Sequence, residues 1–390
     1  MRRRRNRTRP EQTVLGPLIA VTAKLALALL LALAAAEGGS ALALRLMGPE
    51  AEMRPPLPSP EDVARLYDTT DYHLYQEALA ETRAAAATVY APFAERRTAP
   101  FTGRRATVSP EGVRGDGAPQ DLRAESAKVF VFGGSTVFGI GVPDAETLPA
   151  QLETALKEAG KEVQVFNFGT DGHHSTAARI TLEQLLVAGH RPDVAVFVEG
   201  LEDFVHCAAV DAGPSSARLA EALRGAQPLT VAGAVAELSR TARLMRHLAG
   251  KAAERRAAEA GGCSGGDAIE RAALRLDANR RLLSAIAERM GFAVVFVQQP
   301  VPFFHYDQSR RPQAARTEPT GRYQGVAAGY ARLAEMRAAG EAWEPQLLWL
   351  AELEPAEGNA YIDAVHYSPR FARTIADAVA GHILASGRLP

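Results

Sequence analysis

Two stretches of the chain hold side chains that could act on a substrate. The first is AKVFVFGGSTVFGIGVP, residues 127–143, whose apolar run leads into Gly133, Gly134 and then Ser135 at what reads as a helix start. Two glycines let the backbone turn sharply there, with positive φ if the turn demands it. The serine is then presented where unpaired N–H groups and the helix dipole favour negative charge. Such a hydroxyl can attack a carbonyl while its own N–H holds the oxyanion that forms. It can equally serve only as an N-cap. A phosphate loop is excluded, because the Gly-Lys-Ser/Thr ending is missing. The second stretch, YIDAVHYSP, sets Asp363 three residues before His366, on a loop or single turn ahead of the last helix. At that spacing the carboxylate can orient the imidazole and stabilise its protonated form, leaving the other ring nitrogen for the serine.

A third group is open to another reading. His173, His174, Glu202, Asp203 and His206 are metal-ligand types, and EDFVH puts three of them within about one helical turn. They would suit a metal-dependent phosphoester hydrolase if Ser135 were only a cap. Otherwise His173 and His174 line the cleft or bond to backbone, and Asp203 caps or bonds within its loop.

Residues 135 and 366 need a frame that brings them together. From Lys128 the runs KVFVF, VQVFNFG, DVAVFVEG and AVVFVQQP are short and almost wholly apolar, as strands buried on both faces must be. LPAQLETALKEAG, TAARITLEQLLVAG and AALRLDANRRLLSAIAERMG lie between them with helical periodicity. The alternation predicts an α/β fold of three layers, α/β/α, around a central parallel sheet, with the ligand at the carboxyl ends of the strands. Segments at about 208–266 and 303–358 interrupt the pattern, the second with two helical pieces carrying Trp343 and Trp349. Both leave the carboxyl end of a strand, so both are expected as substrate-selecting walls.

The ends of the chain bound its setting. Of 390 residues 47% are hydrophobic and the formal charge is -1, so there is material for a core and no overall basic surface for nucleic acid. Residues 1–12 form a basic tail, and residues 13–36 are apolar except for Lys24, about the 20 residues a bilayer crossing needs. The arginines should remain in the cytoplasm, which makes 13–36 a transmembrane signal-anchor with the rest in the periplasm or exterior. The alternative is a shorter signal-peptide core cut near SALA, giving a secreted protein. Residues 37–126 read as a proline-rich linker and an N-terminal extension, with a helical patch over 61–89 and then irregular structure or a small hairpin. Residues 127–390 form the main domain. Cys207 and Cys263 are the two cysteines, and in an oxidising compartment they could form one bridge or remain unpaired.

Four ordered blocks carry a family resemblance: GGST with Ser135, NFGTDG with Gly172, GLED at 200–203 and DAVH ending at His366. They resemble SGNH (GDSL-type) hydrolases, nearest to membrane-anchored or exported bacterial members with a GGST nucleophile block. The resemblance implies Ser135 as nucleophile, His366 as base, Asp363 as its orienting partner and Gly172 as a backbone donor to the oxyanion, with Asn167 supporting the turn that presents it. It implies a serine esterase with no metal or organic cofactor, and the location across the membrane points to an O-acylated carbohydrate or lipid ester of the cell envelope as substrate. The alternatives are an acyltransferase of envelope polysaccharide with a protein partner, or a weakened protein of the same fold that binds glycan. In the family the third oxyanion donor is an asparagine. Glu202 stands there, and an ionised carboxylate cannot donate. Glu202 therefore either turns away and leaves two backbone N–H groups, or is kept protonated by burial and completes the oxyanion hole, or marks a protein that binds without turnover.

Overall fold

The structure is a computed structural model and describes residues 15–46, 58–115, 126–207, 239–241, 244–245, 263, 265–310, 323–340 and 346–389. The chain divides into two compact units, Met1–Pro55 with Gln227–Arg255, and Pro56–Ala226 with Arg256–Pro390. In the first, α1 (Leu15–Leu46) is one 32-residue helix. Its Glu37 accepts hydrogen bonds from Ser239 Oγ at 2.5 Å and from the N–H groups of Arg240 and Thr241, and Ser40 donates to Thr241 Oγ1. Among the described residues no helix is long and apolar enough to cross a membrane. Residues 13 and 14 of the span expected over 13–36 lie outside the described residues, and α1 continues past residue 36 through Glu37–Ser40. A membrane role for this segment rests on its sequence.

The second unit opens with α2 (Pro60–Tyr67) and α3 (Tyr72–Ala85), where the sequence suggests a single helical patch. Asp68 in the left-handed conformation (φ +52°) ends α2, and Ser59 and Asp71 cap the two starts. A hairpin of β1 (Thr88–Ala91) and β2 (Glu95–Thr98) follows, then a short antiparallel pair, β3 (Phe101–Thr102) and β4 (Thr107–Val108). The alternating part runs β5 (Ala127–Gly133), α4 (Ser135–Phe138), α5 (Leu148–Glu158), β6 (Val163–Gly169), α6 (Ser175–Val187), β7 (Val194–Glu199), α7 (Leu201–Val205), α8 (Gly266–Met290), β8 (Ala293–Gln298), α9 (Val326–Ala338), β9 (Leu347–Trp349) and α10 (Pro369–Ala385).

Five strands form one sheet in the order β6-β5-β7-β8-β9, every neighbouring pair parallel. Because successive side chains alternate across a strand, the two faces differ in composition. Phe130, Phe132, Phe166, Phe168, Phe197 and Phe296 fill one side, under α6, α8 and α9. Val129, Val131, Val163, Val196, Val295 and Val297 fill the other, under α5 and α10. The expected three-layer α/β/α arrangement is therefore present. Among the described residues of 303–358 there is one α-helix, α9, and Trp349, expected in a helical piece, belongs to the edge strand β9. LLW is too short for its period to register, and only β8 makes it a strand. Trp343 lies outside the described residues, as does most of the 208–266 insertion and with it the wall expected there. Cys207 and Cys263, at the insertion's two roots, are joined in a disulfide.

Candidate active site

Ser135 begins α4 at the carboxyl end of β5, as the sequence suggests, but the two glycines act differently from expectation. Gly134 has φ -85°, an ordinary value. It is needed for space: a Cβ there would sit 2.7 Å from Glu202 Cγ, and one on Gly133 would sit 2.7 Å from the Val198 carbonyl oxygen. The turn is tight because α7 and β7 crowd it.

His366 reaches the same point from the far end of the chain. Ile362 N–H donates to His366 O, closing a turn just before α10, and Ser368 caps that helix. Asp363 uses both carboxylate oxygens. Oδ1 accepts from the N–H groups of Val365 and His366 at 3.0 and 2.9 Å, and Oδ2 accepts from His366 Nδ1 at 2.7 Å. His366 Nε2 lies 2.9 Å from Ser135 Oγ, at hydrogen-bond distance. With Nδ1 protonated toward the carboxylate, Nε2 is the acceptor and the serine hydroxyl the donor. Burial works against charge on both partners. For Asp363 it is outweighed by attraction to His366 and by the hydrogen bonds just named, so its carboxyl lies well below the usual range. For His366, Asp363 likewise outweighs burial and raises the imidazole above its ordinary value. Ser135, His366 and Asp363 thus form one hydrogen-bonded chain.

Gly172 lies in the loop after β6 with φ +70°, a conformation glycine adopts freely. Asn167 links this loop's root to α4: Nδ2 donates to Val137 O at 3.0 Å, and Oδ1 accepts from Gly169 N–H at 2.9 Å. Glu202 is buried on α7 against Gly134, its Oε2 3.2 Å from His206 Nε2. Of the metal-ligand types, His173 donates from Nε2 to Arg96 O, and Asp203 accepts from Ser175 N–H and Oγ. Burial is the main cause that holds His173 and His174 near 3, so both are neutral. Among the described residues no group of three such side chains is placed to share a metal.

Other residues at the site have no clear mark in the sequence. The loop after α4 is held by the N-terminal extension. The buried Arg114 guanidinium donates to the carbonyls of Phe138, Gly139 (2.5 Å) and Val142 (2.6 Å) and pairs with Asp144, Tyr67 donates to Gly141 O, and Thr82 accepts from Gly141 N–H. At the end of β7, Glu199 accepts from the fully buried Arg280 at 3.0 Å, which also donates to Gln298. Burial pushes Glu199 up to about 7, against the pull of Arg280. A charged residue closing an otherwise apolar strand, VFVEG, was the one available signal for this pair. Nothing marks Arg96 or Arg114 among the arginines of a turn-rich segment.

No family model matches the chain, and no curated protein matches it. Solved structures do. A protein assigned to the G-D-S-L lipolytic family, from Desulfitobacterium hafniense DCB-2, is 13% identical, with TM-score 0.37 over 66% of this chain and 99% of its own. A carbohydrate acetylesterase family member from Sinorhizobium meliloti is 15% identical, with TM-score 0.34 over 67% and 99%. A lipase from a goat rumen metagenome is 14% identical, with TM-score 0.38 over 67% and 98%. These are likenesses of fold alone.

Proposed function

We propose that the chain is a serine ester hydrolase of the SGNH type, exported and held at the inner membrane by residues 13–36, acting on an O-acyl ester of envelope carbohydrate or lipid. The observation that carries it is the hydrogen-bonded line from Ser135 Oγ through His366 to Asp363 at 2.9 and 2.7 Å. In this reading Ser135 Oγ attacks the ester carbonyl and His366 Nε2 takes its proton. The same proton then goes to the leaving alkoxide, and a water activated by His366 releases the acyl group. Asp363 stays ionised and holds the imidazole. In the same reading the N–H groups of Ser135 and Gly172 are the oxyanion donors that the resemblance implies. The cysteine pair supports an oxidising compartment, and the basic tail ahead of the apolar run supports an anchor.

Glu202 favours a second reading, a retired hydrolase that binds without turnover. Labelling the whole chain with a fluorophosphonate probe separates the two. The wild type is expected to label, with Ser135→Ala and His366→Ala silent and Glu202→Asn faster. A folded wild type that stays unlabelled while Glu202→Asn labels would sink the hydrolase reading in favour of binding.

A further inference from the structure

Arg96 stands on β2, in the extension that precedes the alternating fold, yet its side chain ends beside Gly172. Nη1 donates to Asp171 O at 3.3 Å. It also lies 2.8 Å from the point a Cβ on Gly172 would occupy, with Cζ 3.4 Å and His206 Nε2 3.5 Å from that same point. The hairpin that carries it is fastened to this loop: Arg96 O accepts from His173, and Thr98 Oγ1 lies 3.2 Å from Thr170 Oγ1. Gly172 is favoured by its positive φ, and the end of the Arg96 side chain lies against it. Among the described residues no ion pair engages Arg96. One carbonyl needs one donor, which a neutral amide would supply, so the charge is surplus to that bond. Gly134 packs against Glu202, Glu202 Oε2 lies 3.2 Å from His206 Nε2, and His206 and Arg96 both lie against Gly172. Glu202 stands where the resemblance puts an amide donor, and Arg96 stands at the glycine.

We infer that Arg96 is the charged donor that replaces the missing amide, stabilising the negative oxygen that forms beside Gly172. The inference rests on the serine-hydrolase reading. As the bond from Ser135 Oγ to the carbonyl carbon forms, the hydroxyl proton passes to His366 Nε2 and the carbonyl π pair moves onto oxygen. Arg96 gives up no proton, since guanidinium stays charged in proteins, and its field faces the new anion. When the pair returns, the bond to the alkoxide breaks and the leaving oxygen takes the proton from His366.

The test uses the whole chain with p-nitrophenyl acetate, a neutral ester, and compares Arg96→Gln, Arg96→Lys and Arg96→Ala by kcat, KM and thermal melting. Gln keeps a donor for the Asp171 carbonyl without the charge. It should lose about 10²–10³-fold in kcat with KM little changed, the usual cost of one oxyanion donor. Lys should retain most of the rate, and added guanidinium chloride should restore part of it to Arg96→Ala. Wild-type turnover in Arg96→Gln overturns the inference. So does a loss confined to KM for an ester bearing its own carboxylate, which would make Arg96 a reader of substrate charge, or equal loss in Gln and Lys without guanidinium rescue, which would make it structural. If Ser135→Ala is as active and as labelled as the wild type, the hydrolase reading falls first and this inference with it.

Discussion

In the proposed reaction two residues set the working pH. His366 accepts a proton only when neutral, so the rate rises with pH through its pKa. Burial alone would pull that pKa down, but the Asp363 carboxylate and its hydrogen bond hold it up. The acid limb of kcat/KM should therefore have its midpoint above about 6.5, the ordinary histidine value. Asp363→Asn removes what raises the pKa and leaves burial, so the limb should move to lower pH while the plateau falls by about 10⁴-fold. An Asp363→Asn limb at the wild-type position would show that Asp363 does not act on His366 by charge. Because Asp363 Oδ1 also holds the turn through two N–H groups, its replacement by alanine would confound geometry with charge.

A four-residue helix cannot place its first residue by itself, and α4 is only that long. It is held at three points: by Asn167 on the Val137 carbonyl, by β5 behind it, and by Arg114 on the carbonyls that leave it. Arg114 is buried and makes four polar contacts there, one of them to Asp144, whose side chain keeps 21% of its surface accessible. Arg114→Met keeps bulk and strands those carbonyls and Asp144 without a donor. A stability loss of about 3 kcal/mol is expected from breaking such a pair, together with slower fluorophosphonate labelling in the fraction that remains folded. Urea unfolding and labelling on the same sample check both, and unchanged labelling would show that the extension does not set the serine.

At the scale of the molecule, the large insertion is closed at its base by Cys207–Cys263, 56 residues apart and both buried. Cys207 follows directly on α7 and His206, so the bridge fixes the segment that carries Glu202. Replacing both cysteines by alanine should cost about 2–4 kcal/mol, seen as a lower melting temperature that reductant no longer changes. Two titratable thiols in the native, unreduced protein would show that the bridge is absent. The extension acts at this scale too, since Tyr67, Thr82, Arg96 and Arg114 all reach the loops that carry Ser135 and Gly172.

Periodicity made four of the five sheet strands and the long helices legible, because burial on two faces demands continuous apolar runs and one buried face demands the helical repeat. Ser135, His366 and Asp363 were legible for a related reason: a strand-end serine and an Asp-x-x-His turn are local patterns that chemistry constrains. The tertiary structure decided the rest. It made LLW a strand by supplying β8 as its neighbour, and assigned Gly134 to close packing instead of positive φ by placing Glu202 against it. It also brought Arg96 and Arg114 from a turn-rich extension to the site. Pairing partners, close approaches and long arginine reaches depend on which segments meet in space, and no local spacing encodes that.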